Sequence, residues 1–523
     1  MKKYIFCVFV FHFSLFTFRS SAQPKFEFRA VWIATVDNID WPSEKNLSSD
    51  IQRSEFIKLL DMHQRNGMNA VIAQIRPATD AFYPSQYEPW SEWLTGTQGK
   101  PPYPYYDPLQ FMIDETHKRG MEFHAWMNPY RAEFNIDKSS ISATHITKLH
   151  PEWFLNYGST KFFDPGNKEV QQFVTNIVKD VVKRYDIDAI HFDDYFYPYR
   201  IPKKEFPDSV SFIKYGKGLS KDDWRRSNVD SIILMLSRAI KQENKFCKFG
   251  ISPFGVWRNI DKDPEGSNTK AAQTNYDDLY ADILLWLKNK WIDYVAPQLY
   301  WEFSQPKVPF ATLIDWWANH SYGRHLYIGH GVYRAVEGKS PAWKNPTELP
   351  NQIKKLRTYP QVQGSIYFSS KTFYRNPNGW NDSLQNNYYK YPAIVPSMPW
   401  IDSVKPAIPI ISKMEIIDKK ENYGMDSLHI LIKNNSSQIK QYAIYIAKKS
   451  EYLSNVAIYK LVPAGKELYV NLPENLLTEN ANTFIVQITA ISKMNNESNY
   501  NRRYNFMLVN GKWQFKNYSE KLN

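Results

Sequence analysis

Two stretches of the chain carry the residue types that acid–base chemistry needs. The first runs Asp186-Ile187-Asp188-Ala189-Ile190-His191-Phe192-Asp193-Asp194-Tyr195-Phe196-Tyr197-Pro198. It reads as a short apolar strand ending in two adjacent carboxylates among aromatics. Alternate residues of a strand point to opposite sides, so a strand persisting through the pair would send Asp193 and Asp194 to different faces. One would reach the reacting group and the other would fix a loop. His191 shares a face with Asp193 and is expected to orient it. The blander alternative is that the pair caps the segment that follows. The second stretch is Ile292-Asp293-Tyr294-Val295-Ala296-Pro297-Gln298-Leu299-Tyr300-Trp301-Glu302, with Gln298, Tyr300 and Glu302 on one face. Carboxylates from two remote stretches meeting over one hollow are what glycosidic hydrolysis requires. One group protonates the leaving oxygen, and the other attacks the anomeric carbon or activates water. Asp193 or Asp194 is the expected nucleophile or base. Glu302 is the expected acid, its pKa raised by desolvation beside Trp301.

Something must hold these stretches at one place. From residue 26 to about 400, short apolar runs alternate with amphipathic stretches. Eight runs read as strands, from Phe28–Val36 to Gly364–Phe368, with helical i, i+3, i+4 patterns between them. The runs are continuous rather than alternating, as in strands buried on both faces. Eight such repeats fit a (β/α)8 TIM barrel, whose active site lies at the C-terminal strand ends. An open doubly wound sheet is the alternative, but no G-x-G-x-x-G follows the first strand. The expected rim gathers Asp37 and Trp41, Arg76 and Asp80, Trp126, Asn128 and Arg131, Tyr195, Trp257, Trp301, and His330, Tyr333 and Arg334. Such groups bond sugar hydroxyls or stack on sugar faces. The aromatic share of 16% suits either a stacking cleft or a large core.

Composition narrows the class. Hydrophobic residues are 43% and charged residues 23% of 523, which excludes a disordered or fibrous chain. The net charge of +12 is spread out, compatible with an anionic polymer, and no nucleic-acid motif accompanies it. Residues 1–22 read as a signal peptide: Lys2 and Lys3, an apolar run, then Ser20-Ser21-Ala22 before a cut near Ala22. No later apolar run is long enough to insert stably in a membrane. The mature chain is therefore expected in the periplasm or at the cell envelope. After cleavage Cys247 alone remains, so no internal disulfide is available, and it reads as a buried hydrophobe. No ligand-spacing motif calls for a metal, and no cofactor is expected. Residues 26–391 form the expected barrel and Pro-rich residues 392–406 a linker. Residues 407–515 hold about seven short strands without helices, the pattern of a small all-β sandwich resembling fibronectin type III.

Longer blocks carry a resemblance. These are Phe28-Arg29-Ala30-Val31-Trp32, Pro89-Trp90-Ser91 with Leu94-Thr95-Gly96, His124 through Arg131, His191 through Pro198, Gly250 through Trp257 and Pro297 through Trp301. In this order they resemble the glycosyl-hydrolase-like family 10 of exported bacterial proteins, over about residues 26–390. The resemblance implies a TIM-barrel hydrolase with its site around Asp193, Asp194, Gln298 and Tyr300. It also implies a polysaccharide substrate, with peptidoglycan glycan strands stripped of peptides as the leading candidate and envelope or division proteins as partners. Another capsular or dietary polysaccharide, or a non-catalytic glycan-binding envelope role, stays open. The chain is distantly similar to chitinase barrels, whose fourth strand ends Asp-x-x-Asp-x-Asp-x-Glu. The aligned residues are Asp188, His191, Asp193 and Tyr195, so a tyrosine stands where those enzymes keep their acid.

Overall fold

The structure, a computed structural model, describes residues 23–417, 426–448, 457–472, 483–509 and 512–516. The expected signal peptide and its cut near Ala22 lie outside the described residues. Eight parallel strands form the centre: β1 (Phe28–Ile33), β2 (Ala70–Arg76), β3 (Glu122–Met127), β4 (Ala189–Phe192), β5 (Lys248–Ile251), β6 (Tyr294–Val295, resuming at Gln298–Leu299), β7 (His325–His330) and β8 (Val362–Tyr367). They pair in chain order, and β8 returns to β1 with Gly364 opposite Phe28, so the sheet closes into a TIM barrel. On β1 the period of two is plain. Phe28, Ala30 and Trp32 join the inner cluster with Ile72 and Tyr327, while Val31 and Ile33 join the outer one. Both faces are buried, hence the unbroken apolar runs.

The outer layer is helical: α1 (Ser49–Arg65), α2 (Pro108–Lys118), α3 (Lys168–Arg184), α4 (Lys221–Glu243), α5 (Ile283–Lys288), α6 (Phe310–Asn319) and α7 (Glu348–Leu356). Side chains of Ser48, Asp107, Asn167 and Ser220 accept first-turn amides and start the four longest helices. The α3 stripe Val170, Val174, Val178 and Val181 is buried against the barrel core. The pattern over residues 276–289 predicts one helix. The chain instead makes Asn275–Asp278, turns at Tyr280 with φ 53°, and restarts α5 under an Asp282 cap.

Beyond the barrel the chain is antiparallel. β9 (Ile411–Ile417), β10 (Ser427–Ile432) and β13 (Glu467–Asn471) form one sheet. β12 (Lys460–Pro463), β11 (Ile439–Lys448), β14 (Thr483–Ser492), β15 (Tyr504–Val509) and β16 (Lys512–Lys516) form the other. Leu428, Ile430, Tyr442, Ile444, Val486 and Ile488 fill a core between them, an architecture compatible with a fibronectin type III-like module. The Pro-rich stretch is not loose throughout. Val395 and Met398 are buried with Phe28 and Tyr327, closing the N-terminal end of the barrel.

Glu122, fully buried at the start of β3, joins the two parts. It takes Lys248 Nζ at 2.5 Å and His124 Nε2 at 3.1 Å from the barrel, and Asn495 Nδ2 at 2.8 Å and Lys440 Nζ at 3.4 Å from the β-module. Burial pushes its carboxyl up, but the surrounding Lys248, Lys440 and His124 prevail and hold it well below the usual carboxylate range. Substituting Glu122→Gln leaves the Lys248 ammonium buried without its anion. Urea unfolding is expected to show a loss of about 3–5 kcal/mol. A loss under about 1 kcal/mol, the value of an exposed pair, would contradict this reading.

Candidate active site

β4 stops at Phe192, so strand alternation no longer governs the next two residues. Asp193 and Asp194 therefore enter the same cavity, of about 380 Å³, at the C-terminal end of the barrel. Each strand supplies a lining residue at its end or just beyond: Trp32, Gln74, Trp126, Asp193, Ser252, Gln298, Tyr333 and Phe368 in strand order. The two carboxyls diverge from the end of β4. Asp193 turns toward β3, accepting Trp126 Nε1 at 3.0 Å and Asn128 Nδ2 at 3.1 Å. Asp194 turns toward β6, accepting Gln298 Nε2 at 3.2 Å and the Tyr199 hydroxyl.

Their electrostatics differ. Burial raises the Asp193 pKa, while the Arg131 charge and the Trp126 and Asn128 donors oppose it. Asp194 is pushed up to about 7, first by burial and then by the Asp193 charge, against the Tyr199 and Gln298 donors. Near neutral pH one carboxyl can hold a proton beside an ionised neighbour, an arrangement that serves acid–base work.

The cavity brings together Asp193, Asp194, Trp126, Arg131, Tyr195, Gln298, Tyr300, Trp301 and Tyr333 of the expected set. Asn128 stands behind it and fixes Asp193. Other expectations are corrected. Glu302 does not line the cavity: β6 ends at Leu299, the chain turns, and the carboxylate accepts Ser340 Oγ at 3.2 Å. Asp193 and Asp194 are the acids lining the cavity among the described residues. His191 does not touch Asp193; it is buried on the barrel axis. Arg76 is held by Glu88 and by the Asn128 carbonyl. Asp80 is buried, accepting Ala78 N and Gln98 Nε2. Trp41 packs on Phe56 and donates to Gln52 O, and Trp257 stacks on Trp316 in the core. Asp37 is exposed outside the cavity, on a turn with φ 53°.

Trp32, Gln74, Tyr199, Ser252, Phe254 and Phe368 line the cavity without having been singled out for it. Trp32, Ser252 and Phe254 lay inside the recognised blocks. Tyr199 sits on an irregular loop, where no periodicity marks it.

Beneath the cavity runs a chain of hydrogen bonds. Trp32 Nε1 donates to His191 Nε2 (3.2 Å), so His191 carries its proton on Nδ1 and donates to Tyr294 Oη (2.9 Å). Tyr294 can then donate to His124 Nδ1 (2.9 Å), and His124 Nε2 donates to Glu122. Burial lowers both histidines, which keeps them neutral as this polarity requires. A larger hollow, about 480 Å³, lies at the opposite end of the barrel against the β-module. Three acids line it, Asp186, Asp188 and Asp402, and Asp188 is engaged by His117 at 2.8 Å.

The glycosyl hydrolase-like 10 family model matches residues 27–344. Glycosyl hydrolase YngK of Bacillus subtilis is 45% identical over 497 residues, covering 93% of this chain and 94% of that protein. Glycosyl hydrolase DigH of Escherichia coli K12 is 39% identical over 376 residues, covering 67% and 84%. Among solved structures, the glycoside hydrolase domain of PgaB (BpsB) from Bordetella bronchiseptica superposes with a TM-score of 0.44 at 13% identity, over 69% of this chain and 98% of that one.

The geometry separates wall residues from core residues. Trp301→Ala is expected to weaken binding of a soluble oligosaccharide about tenfold by calorimetry, equivalent to about 1.4 kcal/mol. Trp257→Phe is expected to leave it within about twofold. The reverse order would contradict the assignment of the wall.

Proposed function

Because the chain belongs to the glycosyl hydrolase-like 10 family, we propose that this glycoside hydrolase is exported and cleaves the glycan strands of the bacterial cell wall. The observation that carries the chemistry is the Asp193–Asp194 pair in one aromatic-walled cavity. Export rests on the lysines, apolar run and small residues of the first 22 positions. Among the described residues no helix is long and apolar enough to cross a membrane.

Asp194 is the proton donor in this reading, in place of Glu302. Its pKa near 7 lets it arrive protonated and leave as a base. Two facing carboxylates usually flank the sugar. Here the two acids leave adjacent backbone positions about 3.8 Å apart and diverge. The nucleophile therefore comes from the substrate: the carbonyl oxygen of a 2-acetamido group attacks the anomeric carbon as the glycosidic bond breaks. The Asp194 proton goes to the leaving oxygen. Asp193, whose ionised form Trp126, Asn128 and the Arg131 charge favour against burial, accepts the amide N–H and balances the cyclic cation. Water then attacks the anomeric carbon, Asp194 takes its proton, and the acetamido group is restored. This path requires an N-acetylated amino sugar and retains anomeric configuration. It also removes the difficulty of Tyr195, because the acid stands one residue earlier.

Incubation with peptide-free glycan strands is expected to release new reducing ends. Asp194→Asn should lose about 10²–10⁴-fold, while Glu302→Gln stays near wild type; an active Asp194→Asn protein would refute the assignment. A panel of capsular and dietary glycans tests the alternative substrates, and cleavage of those alone would overturn the cell-wall reading.

The rate should fall as pH rises through about 7, where Asp194 loses its proton. In Asp193→Asn the neighbouring negative charge is gone, so the residual alkaline limb should move to lower pH. A limb that stays fixed would break the electrostatic link.

A further inference from the structure

The cavity holds two arginines that make no ion pair, although the Arg131 charge is felt by Asp193. Interior arginines elsewhere are neutralised at close range: Arg29 by Glu27 at 2.8 Å, Arg76 by Glu88 at 2.5 Å, Arg225 by Asp208 at 2.7 Å and Arg357 by Glu27 at 2.7 Å. Arg131 and Arg334 line the cavity, and among the described residues neither has an acidic oxygen within 4.0 Å. The Arg131 guanidinium lies 4.7 Å from the Tyr195 ring centroid and 5.6 Å from that of Phe134. Arg131 as a whole is 8% exposed. The Arg334 guanidinium lies 5.4 Å from the Tyr333 ring centroid, and its Nε is buried without a hydrogen-bond partner. Arg334 is half-buried, and a guanidinium nitrogen that is buried without an acceptor is costly unless a ligand completes it.

The charges in the cavity do not cancel. With Asp194 protonated, Asp193 supplies one negative charge against two guanidinium groups. The surplus is positive and sits in a space walled by Trp126, Tyr195, Tyr300 and Trp301. A guanidinium in such a site prefers a planar bidentate anion, and a carboxylate matches its fork. The aromatic walls fit the rest of a sugar.

We propose that Arg334, assisted by Arg131, is a specificity-determining residue that recognises a carboxylate carried by the glycan itself. This rests on the cell-wall reading and deepens it. A muramic acid residue stripped of its peptide exposes the lactyl carboxylate, whereas a peptide-bearing one has converted it to an amide. A uronic acid ring would offer the same group from another position. The two guanidinium groups thus select acidic glycan over a neutral N-acetylglucosamine polymer, and bare strands over peptide-substituted ones.

Affinity tests the idea independently of turnover. The full-length mature protein is titrated with a tetrasaccharide of alternating N-acetylglucosamine and muramic acid bearing free lactyl carboxylates, and with the same tetrasaccharide amidated. A glucuronate-containing tetrasaccharide and its amidated form make the second arm. At least one free acid is expected to bind tenfold or more tightly than its amide, and the arm that does so identifies the source of the carboxylate. In Arg334→Gln the ratio should fall toward one. In Arg334→Lys, which keeps the charge and loses the fork, it should lie between. Equal affinity for acid and amide in both arms, or a ratio unchanged in Arg334→Gln, overturns the proposal. The binding ratio is read even if no reducing ends appear, so a failure of the hydrolytic reading is seen separately.

Discussion

Asp193 and Asp194 adjoin in the chain and share one water-poor cavity, and that constraint organises the site. Two like charges so close and so buried cannot both be held cheaply. The surroundings resolve the conflict asymmetrically. Trp126, Asn128 and the Arg131 charge favour ionised Asp193, while burial and the Asp193 charge raise Asp194 to about 7. Burial first, and then the negative charge of its neighbour, raise the Asp194 carboxyl. The TIM barrel makes this affordable by delivering a lining group from the end of every strand while its interior stays packed.

The support for the cavity floor runs the length of the barrel. Trp32 lines the cavity and is hydrogen-bonded to His191, which leads through Tyr294 and His124 to Glu122. Each link has one consistent donor direction, because an indole N–H can only donate and a carboxylate can only accept. The ring positions under Asp193 and Asp194 are thereby fixed by a fully used polar network. Its far end is the anion that also receives Lys440 and Asn495 of the β-module. The contact gives that module a structural part: it completes the cage around a buried charge at the closed end of the barrel.

Much of this was legible in the residues, and the failures share a cause. The strands and long helices could be read because unbroken apolar runs and 3.6-residue stripes are local signals of burial, as in β1 and α3. The Asp193–Asp194 pair was legible by chemistry and position. Glu302 misled because the alternation that puts Gln298 and Tyr300 on one wall was carried past Leu299, where the strand had ended. The same rule would set the two aspartates on opposite faces only if the strand persisted through them, and it ends at Phe192. Arg76, Asp80, Trp41 and Trp257 have the composition of a binding rim, yet each finds its partners inside the protein, and no single-residue pattern records that. The Pro-rich stretch reads as a linker by composition, but Val395 and Met398 give it an apolar face that plugs the barrel.

The central claim is that burial and one neighbour keep Asp194 protonated near neutrality. Carbon-detected NMR titration of carboxyl-labelled aspartates, comparing wild type with Asp194→Asn, tests it most directly. The account predicts one aspartate resonance with a midpoint near 7 that is missing from the variant. Other aspartates raised into that region by burial, Asp80 and Asp230, persist in both proteins. If the resonance lost in Asp194→Asn titrates near 4 in wild type, the acid has been misassigned and the mechanism built on it fails.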